Sequence, residues 1–502
     1  MNIVTKEQML CTEKIGAEEQ KITYNGLMEN AGFGAYKIIK ENFSVEEKRF
    51  LIFVGKGNNG GDALVVARHL LKDKARVTVI FTSQRDDIGE KVLELGKISI
   101  DFEHYMWEDF SGKQGCDYII DGIYGTGFRG GLDEKHKVIC SYISKSGSKV
   151  IALDIPSGVT CDTGQVDENA VKAQMTITFH SMKPCHVLYP ANEYCGETKV
   201  CDIGIDMKNI NINGENVFVI TDTMAKENIP NKSPTLHKGT AGKVLLIGGK
   251  MGLGGAMVMA ATGALRSGCG YLNIVLTQKL YEMFAPSLVS CTFTIVPERG
   301  DGGISEMAVE QIKQKLSWAD SIIVGCGMGI SSETKEIIRF IINNFHGEVI
   351  IDADGLNSIE LDMLQHKKCN ITITPHYKEM ARLLHCEIED VVNNRVNITK
   401  ETAKKYGITV LLKSHQTIVA TKNGDVFINN TGNGGMAKAG SGDVLSGIIG
   451  SLMSQKAKNP AVCGCFIHGF AGDICKEYMS EYSMQPLDVA NCLGKAFLKI
   501  KQ

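Results

Sequence analysis

The stretch GNGGMAKAGSGDVLSGIIG, residues 432–450, decides how the second half of the chain is interpreted. It gathers glycines ahead of one aspartate, Asp443, and then begins an apolar segment with helical spacing. Such a loop before a helix is typical of a site for a phosphoryl group, because free backbone amides and the helix dipole attract anions. We expect the amides of Gly440, Ser441 and Gly442 to point at one phosphoryl group.

Asp443 follows these glycines directly. Its carboxylate would repel a resting phosphate, so phosphate binding alone does not explain its place. A carboxylate there can accept the proton of a hydroxyl group that attacks the phosphoryl group, and we therefore predict a general base. The alternative is an ordinary N-terminal helix cap. The chain has no G-x-x-x-x-G-K-[ST] sequence, which excludes a P-loop.

The bulk composition is that of a globular protein with more than one domain. The chain has 502 residues, a formal net charge of -3 and a pI near 6.5, which disfavours an electrostatic nucleic-acid binder. No run of about 18 apolar residues predicts a membrane span, and the charged N-terminus does not resemble a secretory signal. The 16 cysteines are scattered without a C-x-x-C pair, so we expect free thiols in a reducing cytoplasm.

Short β-branched runs alternate with amphipathic stretches, which predicts parallel sheets covered by helices on both faces. In the first half the runs are 49–55, 76–82, 116–122, 149–156 and 175–180, and in the second half they are 243–249, 271–276, 321–327, 348–355, 370–375 and 408–414. The polar segment 207–237 lies between the two sets and suits a linker that flanks one short strand. We predict α/β domains at 1–215 and 230–502.

The sequence GKGNNGGD, residues 55–62, follows the first of these runs and opens a helix. It matches G-x-G-x-x-G, a weak indication of a dinucleotide phosphate site, and a plain tight turn is the alternative. Its polar residues favour a ligand site. A simple dehydrogenase is disfavoured, because Thr82 and Ser83 stand where an acid for the ribose hydroxyls is expected.

The first half resembles the NAD(P)H-hydrate epimerases, a family with a Rossmann-like three-layer domain. The motifs that carry the resemblance are LMENAG (27–32), GNNGGD (57–62), DGIYGTG (121–127), LDIPSG (153–158) and TITFHSMKP (176–184). The resemblance implies a potassium ion held by Asn59, Asp121 and Ser157. It implies that the hydrated dinucleotide contacts Asn58, Asn59, Gly60, Gly61, Asp62, Gly125, Thr126, Gly127, Phe128 and Asp154.

Epimerisation of a hydroxyl-bearing ring carbon needs a proton donor and a proton acceptor near that carbon. Asp154 and Lys183 are the candidates within the matching motifs. For Lys183 a solvated surface position is the alternative.

The second half resembles the NAD(P)H-hydrate dehydratases of the ribokinase-like superfamily. The motifs are KGTAGKVLLIGG (238–249), GGAMVMAATGALRSGCGY (254–271), GCGMG (325–329), DADGLN (352–357), TPHYKEMARLL (374–384) and LLKSHQTIV (411–419). The resemblance implies a hydrated-nucleotide pocket at Ala256, Gly327, His376 and Asp443, and contacts to the phosphoryl donor from Lys413, Ser414, His415, Gln416, Thr417, Gly440, Ser441 and Gly442. His376 has a purely structural role as its alternative. The chain departs from the family patterns at Ala63, Cys185, Lys250, Ser414, Gly434, Lys438 and Ala439; Lys438 either alters the nucleotide pocket or points into solvent.

Together the resemblances imply a bifunctional enzyme that repairs hydrated NADH and NADPH (NADHX and NADPHX). The first domain would interconvert the R and S forms, and the second would dehydrate the S form with ADP, or with ATP, and Mg²⁺. We expect a cytoplasmic homo-oligomer that binds neither nucleic acid nor membrane. The rivals are a vitamin or sugar kinase with an N-terminal binding domain, and a non-enzymatic binding scaffold.

Overall fold

The computed structural model describes residues 2–99, 102–112, 115–205 and 216–501. Within them the chain divides into two compact units, an N-terminal unit that ends at Asn216 and a C-terminal unit that begins at Val217. Residues 207–215 of the predicted linker lie outside the described residues, and its later part contains a strand and a helix of the C-terminal unit. Among the described helices, none combines the length and the apolar character needed to cross a lipid bilayer.

The N-terminal unit is a parallel α/β domain. Its strands are β1 (Asn2–Ile3), β2 (Arg49–Val54), β3 (Arg76–Phe81), β4 (Phe102–Met106), β5 (Tyr118–Gly122), β6 (Lys149–Leu153), β7 (Met175–Phe179) and β8 (Glu197–Cys201), and its helices are α1 (Lys6–Gln20), α2 (Tyr24–Asn42), α3 (Asn58–Lys72), α4 (Ile88–Gly96), α5 (Glu134–Lys145) and α6 (Asn192–Cys195). Seven strands form a sheet in the order β4-β3-β2-β5-β6-β7-β8, and every pairing is parallel.

Strand β2 shows why this sheet is buried on both faces. Phe50, Ile52 and Val54 pack into one apolar cluster with α2 and α3, whereas Leu51 and Phe53 pack into a second cluster with α5. Successive residues of a strand point to opposite faces, so a run that is apolar throughout needs helices on both sides. The predicted three-layer fold is confirmed.

The C-terminal unit is a larger α/β domain. Its strands are β9 (Val217–Val219), β10 (Lys243–Ile247), β11 (Tyr271–Thr277), β12 (Thr292–Val296), β13 (Ser321–Val324), β14 (Glu348–Ile351), β15 (Asn370–Ile373), β16 (Thr409–Leu412), β17 (Ile418–Ala420) and β18 (Val426–Ile428). Its helices are α7 (Asp222–Asn228), α8 (Gly254–Arg266), α9 (Gln278–Phe284), α10 (Val309–Leu316), α11 (Ser332–Asn344), α12 (Asp354–Asn357), α13 (Tyr377–Leu384), α14 (Ile388–Asn393), α15 (Arg395–Tyr406), α16 (Ser441–Ser454), α17 (Pro460–Lys476) and α18 (Pro486–Lys501). The strand order is β9-β18-β17-β16-β15-β14-β13-β10-β11-β12, with β17 antiparallel to both its neighbours.

Helices α8 and α16 cross in direct backbone contact. A Cβ atom at Gly263 would lie 2.3 Å from the carbonyl oxygen of Val444, and one at Gly447 would lie 2.0 Å from that of Ala260. Glycine is therefore required at both positions by the close approach of the two helices. This crossing holds the first turn of α16, which carries Asp443, against α8, which carries Ala256 in its own first turn.

Two candidate active sites

The first candidate site lies at the carboxyl ends of β2, β5 and β6, the edge at which open α/β sheets bind ligands. The GNNGGD sequence forms the first turns of α3, with Gly57 as the N-cap residue. Asn59 and Asp62 are buried there, while Asn58 is exposed. A Cβ atom at Gly60 would lie 2.1 Å from the carbonyl oxygen of Gly55, so the loop closes this tightly only with glycine.

The side chain of Arg85 binds the backbone of the glycine-rich loop that precedes α3. Its Nη1 donates to the carbonyl oxygens of Gly55 and Gly57 at 2.9 and 3.0 Å, and its Nε donates to Asp87 at 2.8 Å. Nothing in the strand-loop-helix pattern indicated this arginine. The nearby Thr82, which was noted in place of an acid, is fully buried and donates to the carbonyl oxygen of Val54.

Asn59, Asp121 and Ser157 are brought together beneath the loop, as the predicted potassium site requires. Asp121 is fully buried and accepts hydrogen bonds from the Oγ and the amide of Ser157, at 2.6 and 2.8 Å. Asn59 donates through Nδ2 to the carbonyl oxygens of Tyr124 and Leu153, while its buried Oδ1 has no partner among the described residues. Burial raises the pKa of Asp121 to about 6.

This donor set fits a hard cation. An unpartnered amide oxygen, a carboxylate and a hydroxyl group are the oxygen ligands that such ions prefer. A buried carboxylate with a raised pKa also gains most from a neighbouring positive charge. The three residues would therefore hold potassium through oxygen atoms.

Asp154 and Lys183 form a buried ion pair next to this set. Lys183 is 1% exposed, and its Nζ donates to Asp154 Oδ1 at 2.6 Å, to Thr178 Oγ1 at 2.8 Å and to the carbonyl oxygen of Phe179 at 2.8 Å. The alternative of a solvated surface lysine is therefore wrong. Burial, the largest single cause, raises the pKa of Asp154, but the charge and hydrogen bond of Lys183, together with smaller contributions, hold that pKa below its ordinary value.

The backbone of Asp154 is in the left-handed region, with φ of +60°, which is costly for a residue other than glycine. Its second oxygen, Oδ2, accepts a hydrogen bond from the amide of Thr126 at 3.3 Å, and a Cβ atom at Gly125 would lie 3.1 Å from it. The predicted segment from Gly125 to Phe128 therefore begins against this carboxylate, and Phe128 itself is buried.

Asp62 is the other buried carboxyl group of this site. Burial raises its pKa well above the ordinary value, and the charges of Asp154 and Glu13 raise it further. Burial also raises the pKa of Glu13, on α1, and the charge of Asp154 raises it further. Asp62 therefore holds a proton under conditions in which Asp154 does not. Glu13 was not among the predicted site residues, since nothing in the spacing of α1 indicated it.

The second candidate site is built around the first turn of α16. Gly440 is the N-cap residue, with φ of +96°, and Asp443 lies inside the helix. The alternative that Asp443 caps the helix is therefore wrong. One detail of the prediction is also wrong, because the amide of Ser441 donates to the carbonyl oxygen of Lys438 at 3.2 Å. The amides of Gly440 and Gly442 have no acceptor among the described residues.

Asp352 and Lys413 form a second buried ion pair, beside Asp443. Lys413 Nζ donates to Asp352 Oδ1 at 2.7 Å, and Ser446 Oγ donates to Asp352 Oδ2 at 2.7 Å. Burial, the largest single cause, raises the pKa of Asp352, but the charge of Lys413 and the hydrogen bonds from Lys413 and Ser446, together with smaller contributions, lower it. Because Ala353 has φ of +49°, the backbone after this aspartate is strained. Asp352 was quoted in a matching motif but was not predicted as a site residue.

Asp443 itself stays without a cationic partner among the described residues. Burial raises its pKa to about 6, and the charge of Asp352 adds to the shift. The thiol of Cys326, which is fully buried, lies with the carboxylates of Asp352 and Asp443 in one group whose polar atoms are within 4.8 Å of each other. A carboxylate with this pKa is mostly ionised at neutral pH and can accept a proton.

A cavity of about 380 Å³ opens beside this turn. Its wall includes Lys413, Ser414, His415, Thr417, Ser441 and Gly442 of the predicted nucleotide site, together with Asn429, Thr431, Gly432, Asn433, Gly434, Met436, Ala437, Leu445, Cys465, His468 and Gly469. Gln416 is not part of the wall; it is 4% exposed and donates to Asn430. Gly440 is also outside the wall, where a Cβ atom would meet the sulfur of Met259.

Of the residues predicted for the hydrated nucleotide, Ala256 and Gly327 lie together. A Cβ atom at Gly327 would lie 3.1 Å from the Cβ of Ala256. His376 is the N-cap residue of α13: its Nδ1 accepts from the amide of Glu379, and its own amide donates to the Glu379 carboxylate. Its side chain remains half exposed. The structural role of His376 is therefore present, and the substrate role stays a prediction.

Lys438 forms a hydrogen bond between two loops. Its Nζ donates to the carbonyl oxygen of Tyr482 at 2.7 Å, and Lys438 is not part of the cavity wall. Neither of the two predicted outcomes, an altered pocket or a side chain in solvent, describes this contact.

Comparisons with known proteins cover both units. A family model described as NAD(P)H-hydrate dehydratase matches residues 244–495, and one described as YjeF-related protein N-terminus matches residues 25–185. The chain is 33% identical to the bifunctional NAD(P)H-hydrate repair enzyme Nnr of Moorella thermoacetica, with 98% of this chain and 96% of that protein covered. It is 30% identical to the Escherichia coli enzyme of the same name, with 96% and 91% covered.

Among solved structures, the ADP/ATP-dependent NAD(P)H-hydrate dehydratase of Bacillus subtilis, co-crystallised with ATP and Mg²⁺, matches with a TM-score of 0.50 and 24% identity. The match covers 57% of this chain and 99% of that one. At this identity the likeness concerns the fold alone, and it agrees with the α/β domain predicted for the second half of the chain.

Proposed function

The chain belongs to the family of bifunctional NAD(P)H-hydrate repair enzymes, and from this membership we propose which residues carry each of its two reactions. It is an epimerase and a nucleotide-dependent dehydratase of hydrated NADH and NADPH, with the epimerase in the N-terminal unit and the dehydratase in the C-terminal unit. The predicted bifunctional activity is confirmed. The rival kinase and scaffold readings are set aside.

We propose that Asp443 is the general base of dehydration. The observation that supports this is a carboxylate with a pKa of about 6 in the first turn of α16, beside the unused amides of Gly440 and Gly442. The amides and the helix dipole bind the phosphoryl group, and Asp443 accepts the proton of the substrate hydroxyl as its oxygen attacks phosphorus. Lys413 adds positive charge at the same place.

The phosphoryl transfer turns a poor leaving group into a good one. Once the hydroxyl oxygen carries the phosphoryl group, the electron pair of the ring nitrogen expels phosphate, and loss of a proton restores the dihydropyridine. With ADP as donor, the products are NAD(P)H, AMP and phosphate. ADP is the proposed donor, with ATP as the alternative.

Magnesium would enter this site with the nucleotide. The group of Cys326, Asp352 and Asp443 does not fit a dedicated magnesium site, since a thiol is a soft ligand and the charge of Asp352 is already paired with Lys413. Mg²⁺ that accompanies the nucleotide would supply charge neutralisation there.

In the N-terminal unit we propose that Asp154 accepts a proton and Asp62 supplies one. Their pKa values are displaced in opposite directions, which is how two carboxyl groups in one site divide acid and base roles. Lys183 would keep Asp154 ionised rather than touch the substrate, since its Nζ already donates to three acceptors. Potassium bound at Asn59, Asp121 and Ser157 would supply positive charge close to these groups.

A single assay tests the assignment. A mixture of R and S hydrated NADH is incubated with the full chain and ADP, or ATP, while the dihydronicotinamide absorbance is followed. We expect complete recovery with the native protein. Asp154→Asn should leave the R form unconsumed on the time scale of the reaction, whereas recovery at the native rate would refute the role of Asp154. No recovery with either nucleotide would refute the proposed function.

The potassium site has a separate test. Thermal unfolding of the full chain is followed in potassium and in tetramethylammonium chloride at equal ionic strength. Potassium should raise an unfolding midpoint of the native protein and of Asn58→Leu, whose side chain is exposed, but not of Asn59→Leu. Equal potassium effects in both variants would refute the site. The homo-oligomer stays a prediction, which sedimentation equilibrium would test.

A further inference from the structure

The cavity beside α16 has an inner wall that the predicted nucleotide-binding residues do not account for. This wall comes from α17, through Cys465 and His468, and from the segment that follows β18, through Asn429, Thr431 and Asn433. The phosphate-binding turn contributes Ser441 and Gly442 to the same cavity. A nucleotide whose phosphates lie at that turn would therefore extend its other parts toward the inner wall.

The polar side chains of the segment after β18 are already used within the protein. Asn429 donates to the carbonyl oxygens of Thr431 and Cys465, and the Thr431 hydroxyl donates to that of Phe466. Asn433 donates to Asp473. These groups shape the wall, and their hydrogen bonds leave them poorly suited to read a ligand.

His468 is different. It is 7% exposed, it lines the cavity, and its Nε2 is buried with no hydrogen-bond partner among the described residues. Burial lowers the pKa of His468 to about 4, so the ring is neutral at physiological pH. A buried polar atom without a partner is uncommon and costly in proteins, and a ligand that the described residues do not include is one group that can pair with it.

We infer that His468 contacts the base of the adenine nucleotide that serves as phosphoryl donor. The inference rests on the proposed function of this unit. The phosphates have their own partners at α16 and Lys413, whereas the base needs polar contacts elsewhere. A neutral imidazole carries one N–H and one free lone pair, so it can complement a donor or an acceptor on the edge of a purine.

Two substitutions test this contact in the full chain. His468→Leu removes the ring nitrogens, and His468→Gln keeps a polar atom near the position of Nε2. We expect the Kd for ADP, measured by calorimetry, to rise at least tenfold in His468→Leu and to stay within threefold of native in His468→Gln. The KM for ADP should follow the Kd, while kcat changes less than twofold.

Cys463→Ala is the matched control, since Cys463 is a buried residue of α17 that does not line the cavity. It should change the Kd for ADP by less than threefold. An unchanged Kd in His468→Leu would overturn the inference, as would equal weakening in His468→Leu and His468→Gln, which would indicate shape alone. A native protein that binds neither ADP nor ATP would instead refute the proposed function.

A measurement on the native chain covers the case in which His468→Leu does not fold. The histidine ring signals are followed by NMR, and the signal of His468 is identified by its loss in His468→Gln. ADP should shift this signal, whereas ribose 5-phosphate, which has no base, should not. A signal that ADP leaves in place would overturn the inference.

Discussion

Each site contains an aspartate–lysine ion pair and a second aspartate whose pKa is raised, but the two sites use the ion pair in different ways. In the N-terminal unit, Asp154 is bound by Lys183 and its pKa is lowered, while the pKa of Asp62 is raised. Lys183 is sealed in the protein at 1% exposure. In the proposed mechanism the paired carboxylate, Asp154, acts on the substrate, and Lys183 does not reach it.

In the C-terminal unit, Asp352 is bound by Lys413 and its pKa is lowered, while the pKa of Asp443 is raised to about 6. Here the side chain of Lys413 is 21% exposed and lines the nucleotide cavity. In the proposed mechanism Asp352 positions Lys413 at the nucleotide cavity, and the unpaired carboxylate, Asp443, is the base. An Asp–Lys pair by itself thus does not identify the catalytic carboxylate; the exposure of the lysine indicates which way the pair is used.

Removal of the unpaired carboxylate in the second site should have the largest effect. Asp443→Asn is expected to slow dehydration of the S form by about 10²–10⁴-fold, the usual contribution of a general base, because Asp443 is the carboxylate beside the unused amides of Gly440 and Gly442. Epimerisation, followed by chromatographic separation of the R and S forms, should be unchanged. Equal loss of both activities would break the comparison, since the two sites would not be independent.

The two ion pairs should differ in how much stability they hold. Lys183→Met leaves the buried carboxylate of Asp154 without its lysine, and leaves Thr178 Oγ1 and the carbonyl oxygen of Phe179 without their donor, so it should cost about 3–5 kcal/mol of unfolding free energy. Lys413→Met should cost less, about 1–2 kcal/mol, because Lys413 is partly exposed and Ser446 still donates to Asp352. The chain has two tryptophans, Trp107 in the N-terminal unit and Trp318 in the C-terminal unit. Urea unfolding by fluorescence in Trp318→Phe and Trp107→Phe backgrounds then reports each unit separately.

The control for the stability comparison is the double variant Lys183→Met with Asp154→Asn, which removes the stranded charge and should recover part of the loss. Equal losses for the two lysines would contradict the distinction between a sealed and an open pair.

The pH dependence of dehydration should reveal the unpaired carboxylate. A base with a pKa of about 6 is ionised above that pH and protonated below it. With the S form as substrate, kcat/KM should therefore be level above about pH 7 and fall about tenfold per unit below about pH 6. A profile that stays level from pH 7 to pH 5 would assign the proton transfer to another group.

The smallest effect is expected for Lys438, which lies outside the cavity wall. Lys438→Ala removes one hydrogen bond to the carbonyl oxygen of Tyr482, a partly exposed contact. The KM for ADP should change by less than about threefold, in keeping with a neutral surface contact, and kcat should not change. A tenfold change would move the boundary of the nucleotide site to this loop.

The sequence was most informative where a strand is apolar on both faces. The β-branched runs that begin near Arg49 and Lys243 are interior strands of their sheets, and each can be recognised from its own consecutive residues. Strands β4 and β12 were not predicted, because an edge strand such as FEHYM, Phe102–Met106, is partly exposed and has no such run. Pairing with a neighbour far along the chain makes these segments strands.

The site residues were likewise predictable only where the signal came from residues adjacent in sequence. Asp443 could be predicted because its glycines and its helix are adjacent in sequence. The role of Asp352 depends on Lys413 and Ser446, which are distant in the chain, and its fully buried place has no local signal. His468 looked like any residue of an apolar helix, and its unpartnered nitrogen became visible only with the cavity around it.

The crossing of α8 and α16 through Gly263 and Gly447 has a practical consequence for anyone who engineers this enzyme. A single added methyl group at either glycine would force α8 and α16 apart and move Asp443, the proposed base, away from Ala256. Neither glycine is itself among the proposed ligand-binding residues. Libraries aimed at new donors or substrates should leave this crossing untouched and vary the cavity wall instead.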